Sequence, residues 1–237
     1  MENQRTPLVL AHRGASYDLL DNSRAAFEKA VGLGCDGAEL DVRATSDGQI
    51  AVIHDATVKG FGAVAEHTFQ ALNEALGGEL LQLEQALDVL NGLFVNIEIK
   101  SDPKEAGWVP AELTSRLLAK FLSGFETRST YLVSSFSERA VEVFADLAPG
   151  FAIGLLANIG SDFIARCHAA KELGANYILP HHSSLDPKLV KEAHDLGLGV
   201  ITWTVDQPER VVEVARCQVD GIITNRIDVA IQALKTF

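Results

Sequence analysis

Residues 130–156 read TYLVSSFSERAVEVFADLAPGFAIGLL, and this stretch holds one full unit of the pattern that decides the fold. Thr130–Ser134 is a short apolar run of strand type, Ser137–Leu147 has helical period, and Phe151–Leu155 is the next strand-like run. The unit repeats toward the C-terminus. Strand-like runs lie at Asn176–Leu179, Gly199–Val205 and Gly221–Thr224, with helical segments near Asp162–Leu173, Pro187–Leu196, Pro208–Cys217 and Ile227–Leu234. Toward the N-terminus, Leu8–His12, Gly37–Thr45 and Leu93–Lys100 supply three more strands. Asn22–Leu33 is a helix stopped by Gly34, and Leu83–Leu90 is an amphipathic helix before the third strand. Ser46-Asp47-Gly48 is a turn into Gln49–His54, so the second strand carries a hairpin-like extension.

Eight strands, each followed by a helix, imply a parallel sheet. Eight such units in 237 residues fit a closed α/β barrel, the (β/α)8 or TIM barrel, better than an open doubly wound sheet. No Gly-x-Gly-x-x-Gly turn supports the open sheet. The expectation is one domain over residues 1–237. A short insertion between strands 2 and 3, at about 55–81, is expected to form a small helical cap over the barrel mouth.

Composition narrows the partners. Hydrophobic residues make up 47% of the chain and charged residues 22%, as in an ordinary globular protein. The net charge of −12 would repel nucleic acid and anionic membrane, and an anionic substrate would need a local cation. Cys35, Cys167 and Cys217 are odd in number, far apart and without a CxxC pair, which fits reduced thiols. No apolar run has the length of a secretory signal core or a membrane helix, so the chain reads as cytoplasmic, with no stable membrane association. Homo-oligomerisation is left open.

In a barrel of this type the C-terminal ends of the strands build the site. His12 and Arg13 end strand 1. Glu39 and Asp41 lie two apart on strand 2 and so share a face, while Ala38, Leu40 and Val42 take the face packed under helices. Glu98 and Lys100 repeat the spacing on strand 3. Three carboxylates aimed into one volume repel one another, and a hard divalent cation with oxygen ligands, Mg²⁺ or Ca²⁺, resolves that repulsion. Arg13 and Lys100 supply positive charge suited to a phosphate group. His12 and His54 lie at the ends of adjacent extended segments. With an unperturbed pKa of ~6.5, one imidazole can serve as base and the other as acid. Trp203, near the end of strand 7, is placed as a substrate contact, although a tryptophan there is more often core.

Blander readings compete. Glu98 and Lys100 can form a structural ion pair. His67, His168 and His194 fall on helical or inserted segments and read as structural. His181 and His182 lie at the correct end of the barrel but lack a partner motif, and Asp206 and Asn225 read as loop caps.

The residues also carry a family resemblance. Ala11-His12-Arg13-Gly14, Asn22, Ala26-Phe27 with Ala30, the run from Gly34 through Glu39-x-Asp41-Val42, Thr45-x-Asp47-Gly48 and His54-Asp55 resemble, in order, the glycerophosphodiester phosphodiesterase family. Asn96-Ile97-Glu98-Ile99-Lys100, Ser134-Ser135-Phe136, Trp203-Thr204-Val205 and Asp220-Gly221-Ile222-Ile223-Thr224 continue the match along nearly the whole chain. The resemblance implies metal-dependent hydrolysis of glycerophosphodiesters to glycerol 3-phosphate and an alcohol, with the glycerol hydroxyl as nucleophile through a cyclic phosphate. It implies His12 and His54 as the acid–base pair, Glu39, Asp41 and Glu98 as ligands of one divalent cation, and Arg13 and Lys100 as phosphate contacts. Departures are Asp21-Asn22-Ser23 in place of Glu-Asn-Thr, and an insertion that is shorter and lacks a threonine-rich stretch after His54-Asp55. Asp206 and Asn225 stand where the family more often has Asn and Asp. A related activity on a lysophospholipid or sugar phosphodiester, or a catalytically silent barrel that binds a phosphorylated ligand, are the alternative readings.

Overall fold

A computed structural model describes residues 6–108, 111–125 and 130–235. Eight parallel strands form the barrel: β1 (Leu8–His12), β2 (Gly37–Ala44), β3 (Phe94–Ile99), β4 (Thr130–Ser135), β5 (Ala152–Ala157), β6 (Tyr177–Pro180), β7 (Gly199–Thr202) and β8 (Gly221–Thr224). Each pairs with its sequence neighbour, and β8 pairs with β1 to close the ring. The expected eight-stranded alternation is therefore the observed one. The helices are α1 (Arg24–Gly32), α2 (Phe69–Ala75), α3 (Leu83–Val89), α4 (Ala111–Ser123), α5 (Glu138–Leu147), α6 (Phe163–Glu172), α7 (Pro187–Asp195), α8 (Pro208–Arg216) and α9 (Ile227–Leu234). No helix among the described residues is long and apolar enough to cross a membrane.

Local chemistry sets where these helices begin. Ser23, Ser137, Asp162 and Asp186 each cap a helix by accepting a backbone N–H from its first turn. Pro187 and Pro208 occupy first-turn positions, where the missing N–H costs nothing. Gly34 follows α1 at φ +80°, the left-handed stop expected of it.

Period-two alternation along the strands divides the interior in two. Outward residues such as Ala38, Leu40, Val42, Val95, Ile97 and Val133 join the large core between barrel and helices. Inward residues Leu10, Leu132, Leu156, Leu179, Ile201 and Ile223 fill the barrel itself. Glycines at inward positions make room for this filling. A Cβ at Gly37 would lie 2.1 Å from the Phe94 carbonyl and 2.7 Å from Leu10. Phe144, fully buried on α5, meets Phe151 edge to face with ring centroids 6.0 Å apart. Phe144→Ala is expected to destabilise the protein by about 3–5 kcal/mol in urea unfolding. Because Phe144 lies in the outer core, the residues lining the inside of the barrel should keep their arrangement under folding conditions.

The insertion departs from a plain helical cap. Ile50–Val52 runs antiparallel to β2, as the turn at Ser46-Asp47-Gly48 predicts, and then pairs with Leu81–Gln82. Between them lie a two-stranded ribbon (Thr57–Val58 with Gly62–Ala63), a 3-10 turn at Val64–Glu66 and α2. Ala51, Val58, Val64, Leu72 and Leu80 give this segment its own small core. Repeated glycines and short apolar runs allow either structure in the sequence. Packing onto the extended end of β2 decides it.

Candidate active site

Strand register builds the carboxylate cluster. Pairing of β2 with β3 sets Asp41 beside Glu98, and pairing of β1 with β2 sets His12 beside Glu39, one layer lower in the barrel. All three carboxylates are buried, and each offers an oxygen within 4.8 Å of the others. Glu39 Oε1 and Asp41 Oδ1 are buried without a hydrogen-bond partner. Orphaned carboxylate oxygens at this spacing, with no sulfur or imidazole among them, are the donor set of a hard cation. Glu39, Asp41 and Glu98 could hold a metal ion.

Cations offset the cluster only in part. Arg13 sits at φ +56° at the end of β1, its Nε 3.1 Å from Asp41 and its Nη1 3.0 Å from Asp21. Asp21, one of the departures from the family pattern, thus pairs with Arg13. Lys100 lies 2.8 Å from Glu98 and 3.7 Å from Asp41, so the ion pair open to a structural reading is present inside the site itself. Burial pushes the Glu39 carboxyl well above the usual range, and the neighbouring Asp41 and Glu98 charges push it further. Burial acts the same way on Asp41, but Lys100 and Arg13 outweigh it and hold Asp41 below its ordinary value.

The two candidate proton carriers face the same cavity, of about 280 Å³. Burial and then Arg13 lower the pKa of His12. Its Nε2 points toward Glu39 at 3.9 Å, and its Nδ1 lies 2.7 Å from Asn225 Oδ1. His54 holds Asp55 at 2.7 Å through Nδ1. The His54 carbonyl accepts from Arg43 Nε at 2.8 Å, and Arg43 is itself clamped by both oxygens of Glu105 at 2.9 Å. Arg43 and Glu105 thus place the backbone of the His54 loop. Phe136, Leu156, Trp203 and Ile223 form the apolar side of the cavity. Trp203 is only half-buried, a wall rather than core, fixed by its Nε1 donating to the Leu179 carbonyl at 2.8 Å.

Residues to which the sequence reading gave no catalytic or ligand role also support the site. Asn22, buried at φ +55°, donates to Asp41 at 2.9 Å and orients it. Gly14, at φ +83°, packs so closely that a Cβ would lie 2.7 Å from Ala26. Asp206 and Asn225, read as loop caps, are hydrogen-bonded to each other and through Asn225 to His12. His182 is occupied by Arg210, His181 packs edge to face on Trp203, and His194 pairs with Asp220. Cys35, Cys167 and Cys217 are buried and unpaired, and burial raises the Cys35 thiol to about 11.

A closed barrel with carboxylates, two imidazoles, an arginine and a lysine at its C-terminal end is the place and the chemistry of a barrel enzyme able to take a phosphate ester. The chain belongs to the Glycerophosphoryl diester phosphodiesterase family, whose profile matches residues 12–229. It is 33% identical over 234 residues to a glycerophosphodiester phosphodiesterase of Caldanaerobacter subterraneus subsp. tengcongensis, covering 92% of this chain and 93% of that one. It is 31% identical over 242 residues to a putative glycerophosphodiester phosphodiesterase of Bacillus subtilis, covering 94% and 96%. Among solved structures, a glycerophosphodiester phosphodiesterase from Parabacteroides distasonis superposes with a TM-score of 0.84 at 27% identity, covering 99% of both chains. The fold is shared at 21% identity with an Oleispira antarctica phosphodiesterase solved with its product sn-glycerol-3-phosphate (TM-score 0.86, 97% of both chains).

Proposed function

We propose that this protein hydrolyses glycerophosphodiesters to glycerol 3-phosphate and an alcohol, with one divalent cation, Mg²⁺ or Ca²⁺, and His12 and His54 as the acid–base pair. The observation that carries the proposal is the convergence of Glu39, Asp41 and Glu98, with oxygens within 4.8 Å, beside a cavity that both histidines face. A cation held by these three carboxylates would act as a Lewis acid on the phosphate oxygens and offset charge that develops there. Arg13 and Lys100 bind the same phosphate as fork and point charge. Trp203, with Phe136 beside it at a centroid distance of 5.6 Å, gives the glycerol carbons an apolar wall.

Displacement at phosphorus needs one proton removed from the attacking oxygen and one delivered to the leaving alkoxide. His12 is held toward its neutral form by burial, and its Nε2 is turned into the cavity. His54 stands across that cavity with Asp55 on its far nitrogen. Two imidazoles on one phosphate serve both proton transfers.

Purified protein with Mg²⁺ or Ca²⁺ is expected to release glycerol 3-phosphate from glycerophosphocholine or glycerophosphoethanolamine, and a chelator should stop it. A panel including a lysophospholipid and a sugar phosphodiester assigns the substrate class. Cation binding without turnover of any diester would overturn the proposal in favour of a silent phosphate-binding barrel.

A further inference from the structure

We propose that Asp206 and Asn225 are a positioning pair that fixes the tautomer and orientation of His12. The inference rests on the proposed role of His12 in proton transfer. The register that pairs Ala11 with Thr224 carries Asn225, just beyond β8, to the side of His12. Asn225 Oδ1 lies 2.7 Å from His12 Nδ1, and Asn225 Nδ2 donates to Asp206 Oδ2 at 2.7 Å. Asp206 Oδ1 also accepts from the Asn225 backbone at 2.8 Å and from Thr224 Oγ1 at 3.1 Å.

The two ends of an amide are alike in shape but not in hydrogen bonding. A carboxylate only accepts, so the end of Asn225 that faces Asp206 is its NH₂. The end that faces His12 is then the carbonyl oxygen, and the imidazole must donate to it from Nδ1. A neutral imidazole has one N–H, so its lone pair is on Nε2, the nitrogen turned into the cavity. Ser16 Oγ lies 2.7 Å from the His12 carbonyl and 2.8 Å from the same amide oxygen, and its single proton serves one of the two, so the Asp206 carboxylate and not Ser16 decides the orientation. The carboxylate that sets the network touches Asn225 and not His12, so the choice of tautomer passes through Asn225, while the Asp206 charge also acts on His12 through space.

Swapping the two side chains tests the pair. With Asp206→Asn, the new amide accepts from the Asn225 backbone and turns its NH₂ toward the Asn225 side chain. Asn225 must then flip and present NH₂ to His12, which leaves the proton on Nε2. This variant is expected to lose about 10²-fold in kcat with KM within about twofold, the signature of a wrong tautomer. Asn225→Asp sets two carboxylates against each other and should lose at least as much. The double variant, Asp206→Asn with Asn225→Asp, restores an amide–carboxylate pair whose carboxylate accepts from His12 Nδ1. It should recover to within about fivefold of the parent.

Nitrogen NMR of ¹⁵N-histidine-labelled protein at pH 8, with His12 assigned through His12→Gln, reads the tautomer without turnover. The parent and the double variant should carry the proton on Nδ1, and Asp206→Asn on Nε2. A parent with the proton on Nε2, or a double variant no better than either single, would overturn the pairing. A chain that cleaves no diester yet shows the Nδ1 proton would instead sink the proposed activity and leave the pair standing.

Discussion

His12→Ala and His54→Ala are each expected to lower kcat for glycerophosphodiester hydrolysis by about 10³-fold, within the range that positioned acid–base groups contribute. The other ionisable groups lining the cavity are engaged elsewhere, Glu39 as a proposed ligand of the cation. Glu98 is tied to Lys100 at 2.8 Å and Arg13 to Asp41 at 3.1 Å. Lys100 is held above its ordinary pKa because Glu98 and Asp41 outweigh its burial, so it stays charged. KM should change little if the proposed roles hold, because these act on protons in flight and not on the bound phosphate. Stability should separate the two variants. His12 is a partly buried member of a hydrogen-bonded chain, and its loss takes the imidazole partner from Asn225 Oδ1, a cost of about 1 kcal/mol. His54 is more open, and its imidazole touches only Asp55 among the described hydrogen bonds, so its removal should leave the melting temperature almost unchanged. Steady-state release of glycerol 3-phosphate, coupled to its dehydrogenase, measures the loss beside thermal melts of both variants. Retention of more than about a tenth of the parent kcat by either variant would remove that histidine from the chemistry.

Local alternation made much of this site readable from the chain. On β2 the apolar set Ala38, Leu40 and Val42 and the acidic pair Glu39 and Asp41 must face opposite ways, and only one of these faces can pack under helices. Once the barrel is inferred, the carboxylates point inward, and β3 adds Glu98 by the same rule. Asn225 and Asp206 were not readable in this way. Asn225 is 213 residues from His12 in sequence, and the two meet only because β8 pairs with β1. An Asn or Asp after a strand serves as a loop cap at most such positions, and no local pattern separates the two roles. Arg43 and Glu105 were hidden for a related reason. Their ion pair joins the end of β2 to the loop after β3, a contact set by barrel geometry and not by spacing. Helix α4 was implied by the alternation, and the stop signal at Gly124, directly after its last residue Ser123, was not used to place it.

Glu39→Gln should make the cation-free protein more stable and destroy its response to metal. Glu39 is buried, and Oε1 has no hydrogen-bond partner. Burial first, then Asp41 and Glu98, raise its pKa in the folded state, so folding favours its neutral form. The sign follows from linkage: the contribution of that neutral form is complete below the unfolded pKa and is lost as pH rises through the raised folded value. Parent and variant should therefore match near pH 4 and diverge toward pH 8, with the glutamine form ahead by about 1–2 kcal/mol. Its oxygen can still accept from the Arg13 backbone, which now donates to Glu39 at 3.2 Å. Its NH₂ would face the neighbouring carboxylates, a donor where the parent has a third negative charge. Saturating Mg²⁺ or Ca²⁺ should reverse the order. At a hundred times its dissociation constant a cation stabilises the parent by about 2.7 kcal/mol. The variant, short of one anionic ligand, should shift far less and lose about 10²-fold or more in kcat. Thermal melts from pH 4 to pH 8, with chelator and with each cation, check both halves. Equal cation-induced shifts in parent and variant would remove Glu39 from the ligand set. Equal stability of the cation-free proteins at pH 8 would show that its burial carries no electrostatic cost.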